Sequence, residues 1–175
     1  MLNVKSFSKA KKLQDAAFVQ LKDPETGELL TTESGDKVGF ELHSVQSNEF
    51  KRALRSTADL GLTKAEQERQ KEINDWIADG TKPSEESLDF LDECEDKITK
   101  RMQRVFALVT KKLHHVKLPK DFADEVGIKV GKADEDGACS VSFNAENIHK
   151  LYIALPDLSA QIGDAISDKQ NFIKA

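Results

Sequence analysis

Four histidines, two cysteines and one acidic turn are the residues of this 175-residue chain whose types could support metal or nucleophilic chemistry. Adjacent His114 and His115 would point roughly 100° apart on a helix, whereas a helical zinc site needs ligands at i and i+4 with a third from elsewhere. Solvated histidines at a helix end account for the pair. Asp134, Asp136 and Asn144 give the KADEDG segment a faint likeness to a calcium loop, but the spacing and terminal Glu of an EF-hand are missing, which leaves an acidic turn. Cys94 falls on an apolar stripe and reads as a small core residue. Cys139 falls in a short strand, and no His or Asn can be placed beside either thiol as a catalytic partner. Phosphate-cradling runs such as GxxxxGKS or GxGxxG are absent, as is a GxSxG elbow. With 31 acidic residues, paired carboxylates carry no information. These residue types predict a protein that binds and does not catalyse, without cofactor or metal.

Composition narrows the class of partner. The chain is 33% charged and 38% hydrophobic, with a mean hydropathy of -0.53, a net charge of -5 and a pI near 5.5. That balance excludes a surface basic enough to coat nucleic acid or anionic lipid throughout. No stretch approaches the roughly 20 apolar residues of a membrane span. The start carries Lys5, Lys9, Lys11 and Lys12 without an apolar signal region, and two cysteines without a CxxC pair fit a reducing, cytoplasmic compartment. A single domain over residues 1–175 is expected, β-rich over 1–46 and helical over 47–175.

The elements that must position any site follow from periodicity. Ala16 to Lys22 reads as a strand, Asp23-Pro24-Glu25-Thr26-Gly27 as a turn, and Glu28 to Thr32 as the returning strand. After Glu33-Ser34-Gly35-Asp36, the residues Val38, Phe40 and Leu42 alternate with polar ones; steps of 200° would scatter them on a helix, whereas a pleat aligns them. From Ser47 the period is helical. Ser47 caps Asn48 to Ala58, Gly61 ends that helix, and Thr63 caps Lys64 to Ala78. Ser84 to Val116 contains no Gly or Pro and carries an apolar stripe from Leu88 through Cys94, Ile98, Met102, Val105 and Val109 to Val116. Unbroken, that helix is roughly 50 Å long, against a globule about 40 Å across. It must therefore break, project or pack on another chain. Asp121 to Val130 predicts a helical turn and a strand, and Ala138 to Phe143 a further strand. Two closing helices follow, Ala145 to Leu155 capped by Asn144, and Leu158 to about Ile173 capped by Asp157. The fold class is α+β: an N-terminal antiparallel hairpin or meander, then a mainly helical region with one long amphipathic helix and two C-terminal helices.

The long helix is polarised in charge. Acids occupy Glu85 to Asp96 without a base, and bases occupy Lys97 to Lys120 without an acid. The pattern complements the helix macrodipole, each charge contributing about 0.3 to 1 kcal/mol. It is also self-complementary for two antiparallel copies, which predicts a homo-oligomer. Nucleic-acid binding by the basic half would want interleaved aromatics for stacking, and only Phe106 is present. The candidate partner-binding residues are Lys100, Arg101, Met102, Arg104, Val105 and Val109, with the three apolar ones taken as exposed members of the stripe.

Two segments resemble the ends of a tail assembly chaperone of long-tailed, non-contractile bacteriophages. The first is Leu21-Lys22-Asp23-Pro24-Glu25-Thr26-Gly27-Glu28-Leu29, followed by Phe40-Glu41-Leu42 and by Ser47-Asn48-Glu49-Phe50-Lys51-Arg52-Ala53. It is similar to that family's strand, DPxTG-type hairpin, further strand and serine-capped basic helix. The second runs from Asp136-Gly137 through Val141-Ser142-Phe143-Asn144-Ala145-Glu146-Asn147-Ile148 to Leu151-Tyr152, Leu155-Pro156-Asp157-Leu158, Gln161-Ile162 and Asn171-Phe172, and resembles the family's closing helices. A tryptophan often found ahead of the acidic turn in such proteins is absent here, where Trp76 is the only one, and Phe122 is placed to take its packing role. The resemblance implies a prophage or siphovirus morphogenesis protein of the bacterial cytoplasm. It would bind the tape-measure protein and tail-tube subunits, leave before the virion is complete, and in many such families exist also as a frameshift-extended form. The alternatives are a permanent connector or tail-completion protein that stays in the virion, and a nucleic-acid-associated regulator using Lys97 to Lys120.

Overall fold

The computed structural model describes residues 15–173, so Lys5, Lys9, Lys11 and Lys12 lie outside the described residues. The period-two segments form strands, with a different pairing from the simple hairpin. Strand β1 (Ala16–Gln20) runs antiparallel to β2 (Gly39–His43), Ala16 opposite His43 and Gln20 opposite Gly39. Gly39 is required by that approach, since a Cβ there would stand 2.2 Å from the Val19 carbonyl oxygen. The expected strand Glu28 to Thr32 contributes only two bridges, Lys22↔Leu29 and Thr31↔Lys37. It forms an arm in which Leu30 N–H donates to Leu21 C=O (2.8 Å) and Val38 N–H donates to Leu30 C=O (3.1 Å). Its tip is the anticipated turn: the Asp23 carboxylate accepts from the N–H groups of Glu25 and Thr26, and Gly27 supplies a φ of 73°.

Helix α1 (Asn48–Ser56) starts at Ser47, whose hydroxyl accepts the Phe50 N–H at 3.0 Å, and buries Phe50 and Ala53. Helix α2 (Lys64–Ala78) opens on a capping box between Thr63 and Glu66. Helix α3 (Glu85–Val109) begins after Ser84 and settles the length problem by breaking. At Thr110 the backbone turns extended, and β3 (Thr110–His114) joins β2 as the third strand of a β1-β2-β3 sheet, Phe40 opposite Leu113. The β-branched pair Val109-Thr110 is a weak helix former, and the open edge of β2 offers the ladder bonds that continued helix would otherwise supply.

His115 then takes a left-handed φ of 54°, and β4 (Lys117–Pro119) starts a second sheet with β5 (Val130–Ala133) and β6 (Ala138–Val141), in the order β4-β6-β5. The short α4 (Lys120–Glu125) links β4 to β5. Four of the six strands among the described residues thus lie in the part expected to be mainly helical; strands are expected at β6 and next to β5, whereas β3 replaces the end of the expected long helix. The closing region holds three helices, α5 (Ala145–Ala154), α6 (Pro156–Ser167) and α7 (Lys169–Ile173). Asp168 divides the last two with an extended ψ of 104° and accepts the Gln170 N–H on its carboxylate. One α+β core results, in which Phe40, Leu42, Val105, Ile148, Tyr152 and Ile162 are fully buried.

Candidate partner-binding cleft

A cleft of about 910 Å³ opens where the arm after β1 faces the second sheet and the α5–α6 corner. That volume falls within the range of built binding pockets. Its floor is apolar: Leu21, Leu118 and Leu151 are buried core residues, and Leu30, Val38, Leu155 and Leu158 are half-buried at its surface. Each wall is placed by local structure. The arm holds Leu21 and Leu30 by their backbone bonds, the turn at His115 aims Val116 and Leu118 inward, and Pro156 at the first position of α6 sets the corner that presents Leu155 and Leu158.

Gln161 fastens the arm to α6. Its side-chain carbonyl accepts the Lys22 N–H at 3.0 Å, while its amide donates to the Lys22 C=O at 2.9 Å, as a neighbouring strand would. On the rim, Lys117 Nζ donates to Asp134 Oδ2 at 2.7 Å. That bond, with help from the Ala138 N–H, holds the Asp134 carboxyl below its usual range, and the same carboxylate raises the Lys117 ammonium. Asp23, at the tip of the arm, is also lowered, chiefly by the Thr26 and then the Glu25 N–H groups. The rim thus carries one ion pair, Lys117 with Asp134, beside an apolar floor. Such a surface accommodates apolar side chains of a partner and fixes their direction with a few polar groups.

The residues singled out on the long helix behave differently. Val105 and Val109, expected to be open to a partner, are fully buried. Most of the C-terminal half of α3 is enclosed, with Gln103 and Ala107 buried on other faces, so one apolar stripe does not define its inner side. Met102 is half-buried. Lys100 pairs with Asp96 one turn back, Arg104 with Glu146 of α5 at 3.2 Å, and Arg101 donates to the Leu54 C=O at 3.0 Å while lying across Gly61. A Cβ at Gly61 would meet that guanidinium at 2.7 Å. Lys97 pairs with Glu66, Lys111 with Glu41 and Lys120 with Asp124. Much of the basic run is thus engaged within the chain.

The remaining chemistry-bearing residues stay apart. His114 stands edge-on to Phe18, ring centroids 5.1 Å apart, with Nε2 3.8 Å from Glu41. His149 Nε2 is buried without a hydrogen-bond partner among the described residues, and burial, then Arg104, lowers its pKa. Cys94 and Cys139 are buried free thiols, and burial pushes the Cys94 thiol up, away from the reactive thiolate. Among the described residues no group of three or more His, Cys, Asp or Glu could hold a metal ion, and no helix is long and apolar enough to cross a membrane. The cleft itself was not visible to sequence reasoning, because Lys22 and Gln161 are 139 positions apart and neither is unusual locally. Comparison with family models, with curated proteins and with solved structures gives no match.

Proposed function

We propose that this chain acts by binding, as an assembly chaperone of the kind that serves the tails of long-tailed, non-contractile bacteriophages. It holds the largely helical tape-measure protein and tail-tube subunits during morphogenesis in the bacterial cytoplasm and leaves before the particle is complete. One observation carries this reading: the two segments that bear the resemblance, Leu21 to Leu29 and the run from Leu151 to Gln161, meet in space and wall the same cleft. They are joined by the reciprocal Lys22–Gln161 hydrogen bonds. An apolar floor under a polar rim suits the apolar stripe of a helical client, whose aggregation it would prevent. The internal pairing of Lys97, Lys100 and Arg104 on α3 and of Lys111 on β3 weighs against a nucleic-acid face on this basic run.

The test is a pull-down of the tagged full chain from cells expressing the neighbouring tail genes, with light scattering on the eluate. A soluble complex with the tape-measure protein is expected, reduced by Leu30→Asp or Leu158→Asp at the cleft surface. A closed ring of this chain alone, retained in purified particles, would overturn the reading in favour of a connector.

A further inference from the structure

We infer that the groove along one flank of the α2–α3 hairpin docks a basic amphipathic helix. The two helices pack through Ile73 and Cys94, which are 2% and 1% exposed. One flank of this contact is closed: Arg69 pairs with Glu86 and lies 4.4 Å over the Phe90 ring, and Lys97 pairs with Glu66. The other flank is open among the described residues. On α3, Leu88, Leu91, Glu95, Ile98 and Met102 follow one another in steps of three and four, forming a seam about 21 Å long of the kind that faces a partner in a coiled coil. Leu88 is 47% and Ile98 41% exposed, and Leu91 and Met102 are half-buried. Across from it, α2 presents Gln67, Gln70, Asn74 and Ile77 at the same spacing, Ile77 being 40% exposed. Near the Met102 end, Leu62, Gln67, Gln70 and Ile98 border a hollow of about 290 Å³. Among the described residues, an apolar seam with a polar opposite wall is thus left without a third helix.

Charge selects the occupant. Residues 72–96 carry ten acids and one base, Lys82, a local charge of -9, so the other 150 residues hold 21 acids and 25 bases, or +4. Only Asp75, Glu86 and Asp96 of those ten form ion pairs among the described residues. Glu95 stands within the seam and Asp92 beside it. A helix with an apolar stripe flanked by Lys or Arg complements both features. A second copy of α3 does so less well. It would bring either the same acids or the Lys97 to Arg104 run, whose bases are already held by Glu66, Asp96, the Leu54 carbonyl and Glu146.

The inference rests on the chaperone reading only for which protein supplies the helix, so the groove is tested with a synthetic probe. The probe is a labelled peptide of about 18 residues with Leu at the seam positions and Lys beside them, its binding to the full chain followed by fluorescence anisotropy. Two controls are a scrambled peptide of the same composition and a version with Glu replacing Lys. Leu88→Ser with Ile98→Ser should weaken binding about tenfold, as should Asp92→Lys with Glu95→Lys, and both controls should bind at least about tenfold less tightly. Equal binding of the scrambled peptide, or unchanged binding by both variants, overturns the inference. Hydrogen exchange on the unsubstituted protein gives a readout independent of variant folding: peptide must protect 67–77 and 88–102, and protection elsewhere alone refutes the site. Peptide in the groove without recovery of a tape-measure protein would sink the tail reading and leave the groove, and the reverse would sink the groove.

Discussion

Thr110 is where α3 becomes β3, and one buried hydroxyl pair holds that switch. Thr110 has a single hydroxyl proton, which it donates to the Phe106 C=O at 2.8 Å, so the Tyr152 hydroxyl, 2.8 Å away, is the donor between the two side chains. Tyr152 is fully buried and Thr110 is 5% exposed. Removing the phenol by Tyr152→Phe loses one buried hydrogen bond but leaves the Thr110 proton satisfied, which costs about 0.5–1.5 kcal/mol. Thr110→Val keeps the β-branched shape but strands the Tyr152 O–H in an apolar core. Adding that desolvation to the lost bond with Phe106 gives about 2–4 kcal/mol. With both partners apolar no polar side-chain group is stranded, so the double variant should be more stable than Thr110→Val alone, with a coupling of about 1–2 kcal/mol. Urea unfolding followed by circular dichroism measures all three, the slope remaining unchanged. Additive effects, or a Tyr152→Phe penalty equal to that of Thr110→Val, would refute the assignment of donor and acceptor. The same burial pushes the Tyr152 phenol well above its ordinary 10. A raised acid pKa means that stability is fully present below about pH 10 and is lost as pH rises beyond it, by up to about 1.4 kcal/mol per pH unit. Tyr152 is the only tyrosine, so tyrosinate absorbance should appear together with loss of helical signal.

Two further outcomes are expected. Asn147 accepts the Lys129 N–H at 3.1 Å and donates to the Lys129 and Ser142 carbonyls at 3.0 and 2.7 Å, stitching α5 to the second sheet. Asn147→Ala should cost about 1–3 kcal/mol, and Asn147→Asp should cost more at neutral pH by aiming a carboxylate at two carbonyls, a difference that urea midpoints would show shrinking in acid. Glu66 is held at about 2 against an ordinary 4.5, first by Lys97 and then by Thr63. A depressed carboxylate contributes stability above about pH 4.5 that is lost as pH falls toward 2, so the difference in urea midpoint between wild type and Glu66→Gln should narrow across that window. A constant difference would remove the α2–α3 brace from the account.

Local signals were legible wherever short-range physics dominates. Ser47, Thr63, Ser84 and Asn144 each accept the backbone N–H three residues on, as their types predict, and Gly27 turns the arm. Alternation at Phe40 and Leu42 placed one face of β2 in the core, and the α+β class followed from the change of period at Ser47. The stripe on the long helix, by contrast, could not tell which of its members would be covered. Cys94, Val105 and Val109 lie in the interior, whereas Leu88 and Ile98 remain open, because burial depends on what packs beyond the helix and not on its own period.

From the chain alone come the caps, turns, periods, the polarised charge of residues 85–120 and the absence of any recognised catalytic motif. Each depends on residues a few positions apart, whose geometry the backbone itself dictates. Tertiary structure decided the rest: that α3 stops at Val109, that β3 completes the first sheet, and that Lys22 and Gln161 join the two ends around a cleft. Those outcomes turn on which exposed edge or apolar face is nearest once the chain has collapsed, and partners 70 or more positions apart, such as Glu41 and Lys111, leave no trace in local spacing.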